Sequence, residues 1–184
     1  VLSLRFSPDK NGLISGDSKG NLIFWNIKKG QPLTPKILTE TDLGKIYSIE
    51  FNPIQKQILA FAGSLGIINF WDMNANKSLD PIIAQVGDIY ALKYSPDGKI
   101  LASGGDTIRL WNSITHEQIA LLNGHISGIN SLQFSPNGKV LASASGDGEI
   151  KLWDMSNQQL LATLKGHYKK INDIEFVGQD GSIL

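Results

Sequence analysis

Four tryptophans, Trp25, Trp71, Trp111 and Trp153, recur at spacings of 46, 40 and 42 residues, and each is followed by Asn or Asp: Asn26, Asp72, Asn112 and Asp154. A second aromatic series, Phe6, Phe51, Tyr94, Phe134 and Phe176, repeats at 45, 43, 40 and 42. Two independent markers therefore share one period. A period of roughly 20–50 residues marks a repeat architecture, in which each repeat is one supersecondary motif that cannot bury its apolar face alone. Against it, the 184 residues amount to four repeats and part of a fifth rather than one ordinary domain.

Each repeat reads as short β segments. In the fourth, Ile129 to Phe134 is followed by the turn Ser135-Pro136-Asn137-Gly138, then Val140 to Ser145, the turn Gly146-Asp147-Gly148, and Ile150 to Trp153. Proline presets φ at a turn's second position and glycine permits positive φ, so three strands joined by two tight turns are expected. A fourth strand, Gln159 to Leu164, closes the repeat. The equivalent fourth segments elsewhere contain Pro32, Pro35 and Pro81, and proline lacks the donor a central strand needs, which puts this strand at the sheet's outer edge. The central strands are apolar almost throughout, so each sheet needs a neighbour on both faces. Sheets stacked about an axis, one repeat per blade of a β-propeller, meet that need.

Composition narrows the function classes. Leu, Ile, Val and Phe make up nearly a third of the chain, enough for a core and too much for intrinsic disorder. Seventeen basic residues balance seventeen acidic ones, so the footprint of a nucleic-acid or anionic-membrane binder is missing and neither partner is expected. With no cysteine, a disulfide scaffold, a thiolate metal site and a cysteine nucleophile are all excluded. The longest apolar stretch, Ile58 to Ile68, is too short and broken to span a bilayer as a helix. No signal peptide is visible, and a cytoplasmic or nuclear location is expected. Val1 opens inside an alternating apolar pattern and Leu184 precedes any fifth Trp, so the expectation is a fragment whose remaining blades lie outside it.

The joint pattern resembles the WD40 repeat family: Gly124-His125, Ile129, Phe134-Ser135-Pro136-Asn137-Gly138, Leu141-Ala142-Ser143, Asp147-Gly148 and Ile150-Lys151-Leu152-Trp153-Asp154. The resemblance covers essentially the whole chain. It implies an all-β fold, a β-propeller of WD40 type forming a partial ring of four four-stranded blades plus the start of a fifth. The expected blades are residues 1–38, 44–85, 87–123 and 126–165, with a partial one at 168–184. It also implies a buried hydrogen-bond chain of His125, Ser143, Asp147 and Trp153. Every member of such a chain can be satisfied, since indole donates only, serine gives and accepts, imidazole bridges and carboxylate accepts. Other repeats depart from the pattern. The first keeps Ser15 and Trp25 but has Lys19 at the Asp position; the second has Asp42, Phe61 and Leu65 at the His, Ser and Asp positions; the third has Gln85 for His and a turn two residues shorter before Trp111.

Ser143, His125 and Asp147 also look like a hydrolase triad, but a triad needs an exposed serine beside an oxyanion hole, and the structural role explains all three. His116, His125 and His167 lie in different repeats without ligand spacing, so no metal is expected. Gly146-Asp147-Gly148 and Gly104-Gly105-Asp106 are strand turns, since no Gly-Lys-Ser/Thr and no helix follows them, and no cofactor is expected. Asn76-Lys77-Ser78 fits a glycosylation sequon but reads as an ordinary loop, and Lys28-Lys29 and Lys169-Lys170 read as solvated loop ends.

The resemblance places the recognition surface where the inner strand of each blade begins and where the turn between second and third strands lies. Its positions here are Lys45, Asp88, Gly128 and Lys170; Tyr47, Tyr90, Asn130 and Asn172; and Ser18, Ser64, Gly105 and Gly146. Tyr47 and Tyr90 would stand side by side, offering rigid area with a polar tip. Alternatively, both are partly buried strand residues whose hydroxyls satisfy neighbouring backbone. The expected function is a non-catalytic scaffold docking an unidentified protein or peptide partner. A sensor propeller attached to an NTPase or kinase domain is the second reading, and a hydrolytic propeller the last.

Overall fold

The computed structural model describes residues 1–28, 35–38 and 43–177. They form sixteen β-strands in four antiparallel sheets, each of four strands in sequence order. No helix among the described residues is long and apolar enough to cross a membrane. The chain divides into two compact units, Val1–Ile89 and Tyr90–Leu184.

The first unit holds two blades. Blade 1 is β1 (Ser3–Phe6), β2 (Gly12–Gly16), β3 (Leu22–Asn26) and β4 (Pro35–Ile37); blade 2 is β5 (Ile46–Phe51), β6 (Ile58–Gly63), β7 (Ile67–Asp72) and β8 (Lys77–Ile83). The second unit holds blade 3, with β9 (Ala91–Tyr94), β10 (Ile100–Gly104), β11 (Ile108–Asn112) and β12 (Gln118–Leu122). Blade 4 follows with β13 (Ile129–Phe134), β14 (Val140–Ser145), β15 (Glu149–Asp154) and β16 (Gln159–Lys165).

The repeated residues each have a mechanical reason. In every blade the tryptophan lies opposite a leucine of the second strand, as Leu13 to Trp25, Leu59 to Trp71, Leu101 to Trp111 and Leu141 to Trp153. The Asn or Asp after it accepts backbone N–H groups of the next turn: Asn26 from Lys28, Asp72 from Asn74 and Ala75, Asn112 from Ile114 and Thr115, Asp154 from Ser156. Short carbonyl side chains are favoured there because they replace a missing turn hydrogen bond. The Ser-Pro-Asp/Asn turn between first and second strands works likewise. Ser95 Oγ donates to Asp97 (2.6 Å) and accepts Ile100 N–H (3.0 Å), and Ser135 does the same with Asn137 and Val140 N–H.

The prolines sit on outer strands. Pro35 is in β4, and Pro81 is in β8 where the pairing with β7 shifts register between Ile68 and Phe70, a bulge that spares the missing donor. Pro32 lies outside the described residues.

Each unit's core lies between its two blades. In the first, Ile14 and Leu22 of blade 1 meet Ile49, Phe51 and Leu59 of blade 2; in the second, Leu110 and Leu122 of blade 3 meet Leu132, Phe134 and Leu141 of blade 4. The same strand position behaves according to whether a neighbour covers it. Leu132 and Phe134 are buried, whereas their equivalents Leu4 and Phe6 in β1 are exposed. Hydrogen bonds tie blades within a unit: Ile46 N–H to Asp17 O (3.0 Å), and Ile129 N–H to Gly105 O (2.8 Å). Arg5 also forms an ion pair with the buried Glu50.

Residues 171–177 differ from the expected inner strand of a fifth blade. They follow the sequence alternation but form no strand, and among the described residues no second strand of that blade exists for them to pair with. They are held instead by blade 4: Ile171 N–H donates to Ser145 O (3.1 Å), Asn130 Nδ2 to Ile171 O (2.8 Å) and Ser131 Oγ to Asp173 (2.7 Å).

Candidate functional site

Blade 4 brings His125, Ser143, Asp147 and Trp153 into one chain of hydrogen bonds. The third strand supplies Trp153, whose Nε1–H donates to Ser143 Oγ on the second strand at 2.9 Å. Ser143 Oγ lies 2.8 Å from His125 Nε2, and His125 Nδ1 lies 2.8 Å from Asp147 Oδ2 in the turn between β14 and β15. Indole can only donate and carboxylate only accepts, so with a singly protonated imidazole the polarity runs one way: Trp153 N–H to Ser143 O, Ser143 O–H to His125 Nε2, His125 Nδ1–H to Asp147. Asp147 also accepts the N–H groups of Ile126 (3.1 Å) and Glu149 (2.9 Å). Burial pushes its carboxyl up, but the Glu149 N–H, the His125 ring and the Ile126 N–H together hold it below the usual carboxylate range.

The chain of bonds is sealed. Ser143 is 0% exposed and Trp153 2%, and the side chains of His125 and Asp147 are 2% and 3% exposed. A nucleophile must reach substrate, and this hydroxyl faces an indole and a backbone carbonyl instead. The geometry is that of a tether between strands, turn and entering loop. Among the described residues no group of three or more His, Cys, Asp or Glu side chains could hold a metal ion.

The other blades carry shortened versions. Trp25 donates to Ser15 (2.8 Å) and Trp111 to Ser103 (2.9 Å); the third blade has Gln85 in place of the histidine. In blade 2, Phe61 occupies the serine position, and the buried Trp71 Nε1 has no hydrogen-bond partner. Leu65, at the aspartate position, is exposed; Asp42, at the histidine position, lies outside the described residues. Gln85, which replaces the histidine of blade 3, turns back to donate to Asp88 O (2.6 Å). Blade 1 holds its second turn by a residue the repeat pattern does not mark. Asp17 accepts from Lys19 N–H, Asn21 N–H and Asn21 Nδ2, and the Asn21 side chain foremost keeps its carboxyl below the usual range.

The positions expected to form a docking face lie at the end of the blades where the inner strands begin. Tyr47 and Asn130 each sit on a β-bulge: the register jumps from Ile46 to Ser48 opposite Gly63 and Ala62, and from Ile129 to Ser131 opposite Ser145 and Ala144. A bulge leaves its extra residue out of the ladder and re-aims the side chain. Tyr47 is half-buried. Asn130 spends its amide on Ile171 O. Tyr90 is exposed at the foot of β9, and its ring lies over Gly128, where a Cβ would come within 3.3 Å of Tyr90 Cε2. Glycine at position 128 therefore makes room for that ring.

The remaining positions differ in what they offer. Lys45, Lys170, Asn172 and Ser18 are exposed; Ser64, Asp88 and Gly146 are half-buried. Ser64 Oγ accepts the Lys45 N–H at 2.8 Å, so it shapes its loop. Gly105 is buried, and its carbonyl is taken by Ile129 N–H.

The family model described as "WD domain, G-beta repeat" matches residues 1–26, 80–112 and 116–154, more than half of the chain. The gap from 27 to 79 takes in most of blade 2, the blade with Phe61 and Leu65 at marker positions. "Protein transport protein SEC31" of Yarrowia lipolytica is 35% identical over 81 residues, 43% of this chain and 7% of that protein. "Coronin-7" of Rattus norvegicus is 30% identical over 108 residues, 56% of this chain and 12% of that protein. "Transcriptional corepressor LEUNIG_HOMOLOG" of Arabidopsis thaliana is 29% identical over 115 residues, 61% of this chain and 14% of that protein. The chain thus spans only a small part of the length of these relatives.

Proposed function

The chain belongs to the WD40 family, and from that premise we propose that it is a non-catalytic scaffold whose blades, at 1–38, 44–85, 87–123 and 126–165 with a partial one at 168–184, dock a protein or peptide partner. The docking face is the end of the blades carrying the starts of the inner strands and the turns between second and third strands. One observation carries this reading: the bulges at Tyr47 and Asn130 lift two side chains out of otherwise regular ladders at the same repeat position.

Rigid aromatic side chains on a fixed scaffold make good anchors, since little entropy is lost on binding. Tyr90, exposed and supported by Gly128, fits that role in the second unit, which also exposes Lys170 and Asn172; the first unit exposes Lys45 next to Tyr47 in sequence. The three relatives are named for protein transport, as a coronin and for transcriptional corepression, so one repeat serves different settings and the partner is set by the face rather than the fold. A cytoplasmic or nuclear location goes with this reading.

The test is photo-crosslinking in the full-length protein, with benzoylphenylalanine placed singly at positions 47, 90 and 172, or at positions 97 and 137 in the turns between first and second strands. Crosslinks to a common partner from 47, 90 and 172, and few from 97 and 137, are expected. Equal yields from both sets would overturn the assignment.

A further inference from the structure

Three Asn-Gly pairs occur in the chain, Asn11-Gly12, Asn123-Gly124 and Asn137-Gly138. Such a pair can deamidate unaided, because glycine has no side chain to shield its amide nitrogen from the carbonyl carbon of the preceding side chain. The fold decides which of the three is free to react. Asn11-Gly12 and Asn137-Gly138 lie in turns between first and second strands, and both are tied down. Gly12 N–H donates to Ser7 Oγ (2.8 Å) and Asn11 Nδ2 to Asp9 (3.1 Å). Gly138 N–H donates to Ser135 O (2.8 Å), and Asn137 Oδ1 accepts from Ser135 Oγ (2.8 Å) and Lys139 N–H (3.0 Å). Gly12 is buried and Gly138 half-buried.

Asn123-Gly124 is placed differently. It joins the end of β12 at Leu122 to His125, outside any strand, and both of its residues are exposed. Among the described residues, neither the Asn123 side chain nor the Gly124 N–H makes a hydrogen bond. The span is short and fixed at both ends. Leu122 is buried and paired with Ile108, and the His125 ring is held by Ser143 and Asp147. Gly124 itself rests on the sealed hydrogen-bond chain, since a Cβ there would come within 3.4 Å of Trp153 Cη2.

We propose that Asn123 is a site of spontaneous deamidation and isoaspartate formation, selected by the fold from three like pairs, and that the product unseats His125. The Gly124 nitrogen, its proton lost to hydroxide, bonds to Asn123 Cγ. The Cγ–Nδ2 bond breaks, and ammonia leaves with a proton taken from water, closing a succinimide. Water then opens the ring. Cleavage at the Cγ–N bond gives aspartate; cleavage at the main-chain carbonyl gives isoaspartate, in which the backbone runs through Cβ and Cγ. The backbone gains one carbon between two fixed points, so Leu122 and the His125 ring cannot both keep their places. At positions 11 and 137 a hydrogen bond must break before the ring can close, which slows the step about tenfold per bond.

The experiment ages the folded full-length protein at mildly alkaline pH and maps the products by electron-transfer fragmentation, which tells isoaspartate from aspartate. The tryptic peptide 110–139 carries both Asn123 and Asn137, so one spectrum compares them. Isoaspartate at 123 should form about tenfold faster than at 11 or 137, and the three rates should draw together in urea. Equal rates in the folded protein, or the same lead for 123 in urea, would overturn selection by the fold. The aged protein should also melt several degrees below the fresh one, while fresh Asn123→Asp and aged Asn123→Gln should melt like the fresh parent. The first adds the charge without lengthening the backbone, and the second closes its larger ring far more slowly. An aged parent that melts like the fresh one would overturn the unseating of His125. So would a fresh Asn123→Asp or an aged Asn123→Gln protein that melts as low as the aged parent.

Discussion

Replacing Ser143 by alanine removes one oxygen and strands two neighbours. Trp153 Nε1–H loses its acceptor at 2.9 Å, and His125 Nε2 loses its donor at 2.8 Å. Both groups are buried, out of reach of bulk water. A buried polar group left unmade costs about 1–3 kcal/mol, so the pair together costs about 2–4 kcal/mol after some relaxation. Ser103→Ala strands a single buried donor, Trp111 Nε1, and costs about 1–2 kcal/mol. Ser15→Ala strands Trp25 Nε1 on a residue that is half-buried rather than buried, and costs less than about 1 kcal/mol. Differential scanning calorimetry of the three variants should therefore rank them Ser143, Ser103, Ser15. A drop on the order of 10 °C is expected for the first and a few degrees at most for the last, at about 2–4 °C per kcal/mol for a chain of this size. Equal drops in all three, or the largest at Ser15, would refute the reasoning that stability follows the number of buried groups the hydroxyl serves.

Phe61→Ser in blade 2 would give Trp71 Nε1 an acceptor, yet it should destabilise. The regained hydrogen bond returns about 1 kcal/mol while loss of the buried ring costs about 3–5 kcal/mol, and an unchanged urea midpoint would contradict this. Asp147 has a carboxyl held below its unfolded value of about 3.9, so its contribution is complete above that value and is lost as pH falls through the lower folded one. Asp147→Asn should accordingly be less stable at pH 7 and lose less further stability below pH ~4 than the parent, measured by urea midpoints across that range. At Gly63 a Cβ would fall on the Lys45 carbonyl that holds Ser64 N–H, whereas at Gly166 it meets nothing within 4 Å. Gly63→Ala should thus cost about 1–3 kcal/mol or more and Gly166→Ala essentially nothing, a contrast checked by thermal melts.

The blades were legible in the sequence because their markers do mechanical work that admits few substitutes. Trp25, Trp71, Trp111 and Trp153 each face a leucine across the sheet, and the Asn or Asp after each caps the next turn. The unpartnered Trp71 Nε1 follows from Phe61 at the serine position once the fold brings the two together. The bulges under Tyr47 and Asn130 were not legible, because a bulge is a relation between two strands and no residue type at either position signals it. Asp17 escaped notice because it precedes the marker position that Lys19 fills, and only the folded turn shows its carboxylate taking the role. Residues 171–177 alternate like a strand, but alternation supplies only a face; a strand also needs a partner for its backbone.

The most direct test of the docking account compares affinity and stability in one set of variants, using the partner that crosslinks from position 90. Tyr47→Ala with Tyr90→Ala should weaken binding at least tenfold while moving the melting temperature by only a few degrees, since one ring is exposed and the other half-buried. Ser143→Ala should do the reverse, lowering the melting temperature while leaving affinity of the folded protein intact below its transition. Unchanged affinity in the double tyrosine variant would contradict the account and return both tyrosines to the role of strand residues.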